Sequence, residues 1–240
     1  MTITWMAGAG ILALASFVFG LTGFGIGLVA VSLLPLLLPP ATVVPIVTIY
    51  TAVFAVAMTV QLRREVVVPR LVELLIGSVL GTPLGVWVLA SFPADVLKRL
   101  IGLVLITIVL IEWRGVYPQK LPGRWWAIIA GVLAGVLGGA LATPGPPVIL
   151  YVVAQGWKPR AIKANLQAFF LVNQTLILAG HWWAGLVTRE VLWLALIYTV
   201  PAAAGFALGM HLFNRVNQLL FRRLTFALLF VLGLVLGLGA

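Results

Sequence analysis

The stretch "GLTGFGIG", Gly20 to Gly27, interrupts an apolar run that otherwise reads as one membrane helix from the N-terminus onward. Glycine is the weakest ordinary helix former, about 1 kcal/mol per residue worse than alanine, so four of them in eight positions predict a break. A second break, "ATPGPP" (Ala142–Pro147), stands in the later half of the chain. How the chain turns at these two places decides its fold.

The background of both breaks is lipid-like. Of 240 residues, 63% are apolar and 8% charged, and the mean hydropathy is +1.20. A water-soluble surface needs far more charge, whereas lipid-facing helices need almost none. Mostly apolar stretches long enough to cross a bilayer recur, for example Thr42–Leu62, Leu71–Ser91 and Val191–Leu212. The chain therefore reads as an all-α polytopic membrane protein whose partner is the lipid bilayer. Its net charge of +10 does not imply nucleic acid, because no basic run is interleaved with polar recognition residues and one-sided basic loops give the same sum. With no cysteine, disulfides, thiol catalysis and cysteine-ligated metals are excluded. Ala13-Leu14-Ala15 mimics a cleavage site, but no Lys or Arg precedes the apolar stretch, so an uncleaved first membrane segment is expected.

The sequence is written twice. Pro40-Ala41-Thr42 aligns with Pro159-Arg160-Ala161, Gly81-xxx-Gly85 with Gly205-xxx-Gly209, and Lys98-Arg99 with Arg222-Arg223. Each copy reads as five segments: 3–20, 25–38, 41–62, 69–91 and 95–113, then 125–141, 146–155, 159–180, 189–213 and 218–239. The opening pair of each copy is short. Gly25–Leu38 covers about 20 Å and Pro146–Gln155 about 15 Å, against a hydrocarbon core of about 30 Å. Each pair is thus expected to form a membrane-buried helical hairpin, tipped by GLTGFGIG or ATPGPP.

Charge supports that topology. If each hairpin returns to its starting side, each copy has an odd number of crossings and the copies are inverted. One side then holds Arg63, Arg64, Arg70, Arg114, Lys120, Arg124, Lys158, Arg160, Lys163, Arg215, Arg222 and Arg223. The other holds only Lys98, Arg99 and Arg189. Were each pair one broken spanning helix, the split would be nearly even. Cytoplasmic loops carry the Lys/Arg excess, so the first arrangement is preferred, with both termini outside. The expected architecture is one transmembrane domain, 1–240, of two inverted-topology repeats, about 1–114 and about 123–240.

Irregular backbone at membrane depth survives only where it is buried in protein or lines a wet cavity. Two tips related by inversion mark a midplane site of the kind secondary transporters use. Helix N-termini expose unpaired N–H groups and about half a positive charge, which suits an anion. Thr143 would cap the helix with Pro144 first, or Gly145 would cap it with Pro146 first; Thr22 would cap the equivalent helix of the first copy. The candidate binding residues are therefore Thr22, Gly23, Phe24, Gly25 and Gly27, and Thr143, Pro144, Gly145, Pro146 and Pro147. The Gly81, Gly131 and Gly205 pairs read instead as helix-packing contacts.

Polar residues recur at helical spacing in the third segment of each copy. Lys163, Gln167, Phe170 and Gln174 share one face, as do Thr48, Thr51, Ala55 and Thr59, while Asn165 and Asn173 lie on an adjacent stripe. Amides and hydroxyls in such helices either line a cavity or bond helices together, and Thr48, Thr51, Asn165 and Gln167 join the candidate site on the first reading. Lys163 either joins them or snorkels to the interface. No carboxylate falls at midplane depth to carry a proton or bind a cation. His181 is placed in an outer loop and His211 near an inner helix end. Trp125-Trp126, Trp157 and Trp182-Trp183 read as interface anchors.

Two weak repeats, each opening on a Gly-rich tip, together with "TPGPPV" and "LYVVAQGWKPRAIKANLQAFFLVNQ", resemble the TauE/SafE family of sulfite exporters. The resemblance covers nearly the whole chain and is most specific over Thr143–Val148 and Lys163–Phe170. GLTGFGIG is a looser form of the family's Gly-Xaa-Gly-Gly-Gly. The resemblance implies a secondary transporter of a bacterial inner membrane that exports a small sulfur-containing anion, such as sulfite, sulfoacetate or a related sulfonate. The sequence itself has no cysteine, no His/carboxylate cluster and no metal-ligand spacing, so no enzymatic activity, cofactor or metal is expected. An anion channel or an uptake permease using the same site is the rival reading, and whether the chain forms a homo-oligomer is left open.

Overall fold

The computed structural model describes residues 2–114, 123–157, 159–212, 227 and 229–237. Every regular element among them is helical: α1 (Thr2–Thr22), α2 (Ile26–Leu33, extended by a 3₁₀ turn over Leu34–Leu36), α3 (Pro40–Leu62), α4 (Val68–Ser91), α5 (Ala94–Arg114), α6 (Arg124–Leu141), α7 (Gly145–Ala154), α8 (Pro159–Trp183), α9 (Arg189–Ile197) and α10 (Thr199–Leu212). A final helical stretch covers 229–237. Lys120, Lys158, Arg215, Arg222 and Arg223, and most of the expected last segment 218–239, lie outside the described residues.

Among the described residues, four helices are long and apolar enough to cross a membrane, namely Trp5–Thr22, Val68–Ser91, Arg124–Leu141 and α3 with the turn that follows it; α9 and α10 together make a fifth, bent by 51°. The sequence alone predicts that fifth segment as one continuous helix. It breaks at Tyr198 because Pro201 has no N–H to give the carbonyl of Ile197, and its ring crowds that carbonyl. The return arms α2 and α7 are short, as expected. The outgoing arms α1 and α6 are not, since 21 and 18 residues reach about 27 Å or more.

The chain forms two compact units, each drawing on both halves of the sequence. One contains α1, α2, the start of α3, α5, α9, α10 and 229–237. Here α1 and α10 run parallel in close contact: a Cβ on Gly205 would collide with the Ala13 carbonyl, one on Gly209 with that of Phe17, and one on Gly20 with that of Phe206. The first glycine of GLTGFGIG is therefore a packing residue. Trp5 stacks on Tyr198 at 6.4 Å between ring centroids, and the Tyr198 hydroxyl lies over Gly8.

The other unit contains α3 from Thr48, then α4, α6, α7 and α8. Its α4 and α6 are likewise parallel, with Gly77, Gly81 and Gly85 set against the carbonyls of Ile128, Val132 and Val136. From the other side, Gly131 and Gly135 meet the carbonyls of Leu74 and Ser78, and Gly139 meets the backbone of Thr82 and Val86. Small residues at every contact let the two backbones touch, which is how helices associate where no hydrophobic effect drives them together. All three expected packing pairs of glycines serve in such contacts. Helix α8 packs across α4 and the α6–α7 hairpin. It is long but less apolar, and its amides face inward: Asn165, Gln167, Asn173 and Gln174 are all buried.

Candidate functional site

The second tip is built within a single unit. Helix α6 ends at Leu141, and Ala142 takes the left-handed conformation at φ 51°, the one non-glycine residue with positive φ among the described residues. Its N–H reaches back to the carbonyls of Gly138 and Leu137, and the N–H of Thr143 reaches Leu137 at 3.2 Å. The first of these bonds satisfies the Gly138 carbonyl, one of the four that a helix end leaves open. Pro144 then caps α7, with Gly145 as the first helical residue and no side-chain cap. Neither capping scheme expected from the sequence is adopted. The proline ring already holds φ at −72°, so no side chain is required to set the entry angle.

The prolines also change the chemistry of this helix end. Helix N-termini leave their first N–H groups free, but Pro144, Pro146 and Pro147 have none to offer. The Val148 N–H is the first that helix geometry directs back at the Pro144 carbonyl. The backbone therefore presents a single outward donor here, that of Gly145.

Side chains supply the remaining polar atoms. Thr143 is 5% exposed, and its hydroxyl has no hydrogen-bond partner. Asn173 of α8 is completely buried; its Oδ1 accepts a hydrogen bond from the Ser78 hydroxyl of α4, while its Nδ2 has no partner. The amide of Gln174 is buried and unpartnered at both ends. Gln167, fully buried, lies about two turns back along α8 from Gln174, toward Lys163, which is half-buried.

Behind the tip stands His181. The sequence placed it in an outer loop, but α8 runs on to Trp183 and His181 is entirely buried. Its Nε2 lies 2.9 Å from the Gly139 carbonyl in the last turn of α6, so the ring donates to another open helix-end carbonyl. The Trp-Trp pair that suggested a loop is where α8 emerges, with Trp183 93% exposed.

The first tip, in the other unit, is made differently. Gly23 and Gly25 have φ of 82° and 94°, which side chains avoid, and Gly25 caps α2. Thr22 does not cap it. As the last residue of α1, its hydroxyl sits 2.8 Å from the Val18 carbonyl and 2.6 Å from that of Phe24, and accepts the Phe24 N–H at 3.2 Å. It closes the turn. Because Ile26, Gly27 and Leu28 all carry N–H groups that α2 does not use, this end presents three backbone donors. Val29 is the first to bond back, to Gly25 at 3.0 Å.

The other expected residues sort by what they hold. Asn165 is committed to the turn before α4: it accepts the Val67 N–H at 2.9 Å and donates to the carbonyls of Ala161 at 2.8 Å and Glu65 at 3.3 Å. Thr48 and Thr51 are buried in α3. Glu73, the most inward carboxylate, pairs with Arg70 at 2.9 Å. Sequence reasoning passed over Ser78 and assigned Asn173 no role in binding. The helical stripe of α8 hinted at Asn173, but only packing reveals that Ser78 orients it.

The chain is 27% identical over 226 residues to a protein of Cupriavidus necator described as a probable sulfite/organosulfonate exporter, TauE, covering 91% of this chain and 86% of that one. No solved structure matches. The profile of the sulfite exporter TauE/SafE family matches residues 8–236, and the chain belongs to that family of membrane transporters.

Proposed function

We propose that this protein exports a small sulfur-containing anion, sulfite or a sulfonate such as sulfoacetate, across a bacterial inner membrane with both termini outside. The observation that carries the reading is the second tip, where a helix N-terminus and a buried hydroxyl without a partner coincide in a member of a sulfite exporter family. A desolvated polar group is costly unless something bonds to it, and an oxyanion offers the acceptors. Gly145 and Thr143 contact the substrate, Pro144, Pro146 and Pro147 shape the helix end, and Gln167 and Lys163 line the approach. In its own unit the first tip, Gly23 to Gly27 with the N–H groups of α2, offers a second set of anion donors, and Thr48 and Thr51 add hydroxyls within α3. Thr22 and Asn165 hold the turns.

Inverted repeats are supported by a reciprocal exchange. The first helix of copy one pairs with the fourth segment of copy two (α1 with α10), and the first of copy two with the fourth of copy one (α6 with α4). Both pairs are parallel and glycine-packed. Alternating access is proposed to carry each of these closely packed pairs as one piece.

Flux into proteoliposomes tests the proposal. Sulfite movement that saturates, shows counterflow and falls at least tenfold in Thr143→Val and Gln167→Leu supports a carrier with this site. Wild-type flux in both well-folded variants overturns the site, and single-channel currents would make the protein a channel.

A further inference from the structure

We infer that Asn173 is a substrate-binding residue, its Nδ2 donating to an oxygen of the sulfur oxyanion at the second tip in place of the backbone donors that the prolines remove. The inference rests on the tip being the anion site and adds the group that selects the ligand there.

Two independent features lead to it. The first is a deficit: with prolines at the cap and at the second and third helical positions, α7 directs one N–H outward, whereas the α2 terminus directs three. An anion held by the second tip needs donors from elsewhere. The second is a buried donor with nothing to bond to. Asn173 is 0% exposed and its Nδ2 has no partner.

The placement fits the need. The space beside Gly138 brings three groups together: a Cβ built there would lie 2.6 Å from Ile177 Cδ1, 3.1 Å from Pro144 Cβ and 3.5 Å from Asn173 Nδ2. The amide nitrogen and Pro144, the capping residue of α7 and the chain neighbour of Thr143, thus border the same space beside Gly138. Its orientation is fixed from behind. Ser78 donates to Oδ1, which leaves the NH₂ end toward the tip. Ser78 is held in register by the glycine contacts of α4 with α6, where its carbonyl packs on Gly135.

A neutral amide is suited to this task. It offers hydrogens to a fully deprotonated sulfite or sulfonate head, yet brings no charge that would trap the anion and slow its release. A carboxylate at this position would keep the Ser78 bond while repelling the substrate. Asn173→Asp is therefore the sharp test, and Asn173→Leu removes the donor without adding charge.

The experiment measures binding of sulfite and of sulfoacetate to purified protein by thermal shift and by concentration dependence of flux. We expect wild type to be stabilised by at least one of them, and both Asn173 variants to bind about ten- to a hundredfold more weakly, the loss typical of a hydrogen bond to a charged group. Ser78→Ala, which keeps the fold if a leucine or aspartate does not, frees the amide to turn and should raise the half-saturating concentration severalfold with maximal flux little changed. Wild-type affinity in Asn173→Leu or in Ser78→Ala, while Thr143→Val loses affinity, overturns the role of Asn173 and leaves the tip site standing. If neither anion stabilises wild type or crosses the membrane, the tip site and this inference fall together.

Discussion

Replacing Gly81 by alanine tests the packing on which the second tip depends. A Cβ at this position would sit 2.9 Å from the carbonyl carbon of Val132 and 3.0 Å from its Cα, with the carbonyl oxygen closer still. Carbon atoms rest about 3.5–4.0 Å apart, so α4 must retreat from α6 by roughly 0.5–1 Å. A gap of that size forfeits a quarter to a half of the dispersion energy at each neighbouring contact, here those of Gly77, Gly85, Gly131 and Gly135. Overpacking of this kind costs about 1–3 kcal/mol, partly offset by the roughly 1 kcal/mol that alanine gains over glycine in a helix. The net effect is destabilising. Gly10→Ala isolates the offset, because nothing lies within 4 Å of a Cβ there. Thermal unfolding in detergent should rank Gly10→Ala at or above wild type and Gly81→Ala below it. A Gly81→Ala protein as stable as Gly10→Ala would refute the close parallel pairing of α4 with α6.

Three further outcomes follow from local geometry. His181→Leu removes the donor to the Gly139 carbonyl and leaves that acceptor buried, so it should lower stability by about 1–3 kcal/mol; an unchanged melting temperature would show that the ring does not brace the tip. Ala142→Gly relieves a left-handed residue, a strain of about 1–2 kcal/mol, and should raise the melting temperature, whereas a fall would mean that the Ala142 methyl packs usefully. Since the chain has no cysteine, single cysteines at the exposed Arg64 and Trp183 can be labelled in whole cells with an impermeant maleimide. The proposed orientation expects Trp183→Cys to react from outside and Arg64→Cys only after permeabilisation, and the opposite pattern would invert the topology.

Much of the secondary structure was legible because its causes are local. Nine of the ten segments expected from apolar runs punctuated by proline and glycine have both ends described, and with the 3₁₀ turn counted in α2 these agree with that reading within about three residues; the start of the tenth lies outside the described residues. Even the break in α9–α10 had a local sign in Pro201, and the scarcity of donors at the second tip could have been read from three residues that have no N–H. Other features had no such sign. His181 stands beside Trp-Trp and a glycine, a pattern that reads as a loop, and only contact with α6 accounts for a helix that continues through it. Thr22 has the identity of a cap, but its hydroxyl is captured by the turn that it closes.

What the sequence determined by itself is which segments enter the bilayer and where each one breaks, since hydropathy and backbone chemistry are properties of a residue and its near neighbours. What only the tertiary structure decided is the assignment of polar atoms: Asn165 spent on a turn, Ser78 spent on Asn173, and the Asn173 amide nitrogen left without a partner beside Gly138. The physical reason is that a buried hydrogen-bonding group is defined by its partners, and in this chain those partners lie on other helices, as far apart in sequence as Ser78 and Asn173.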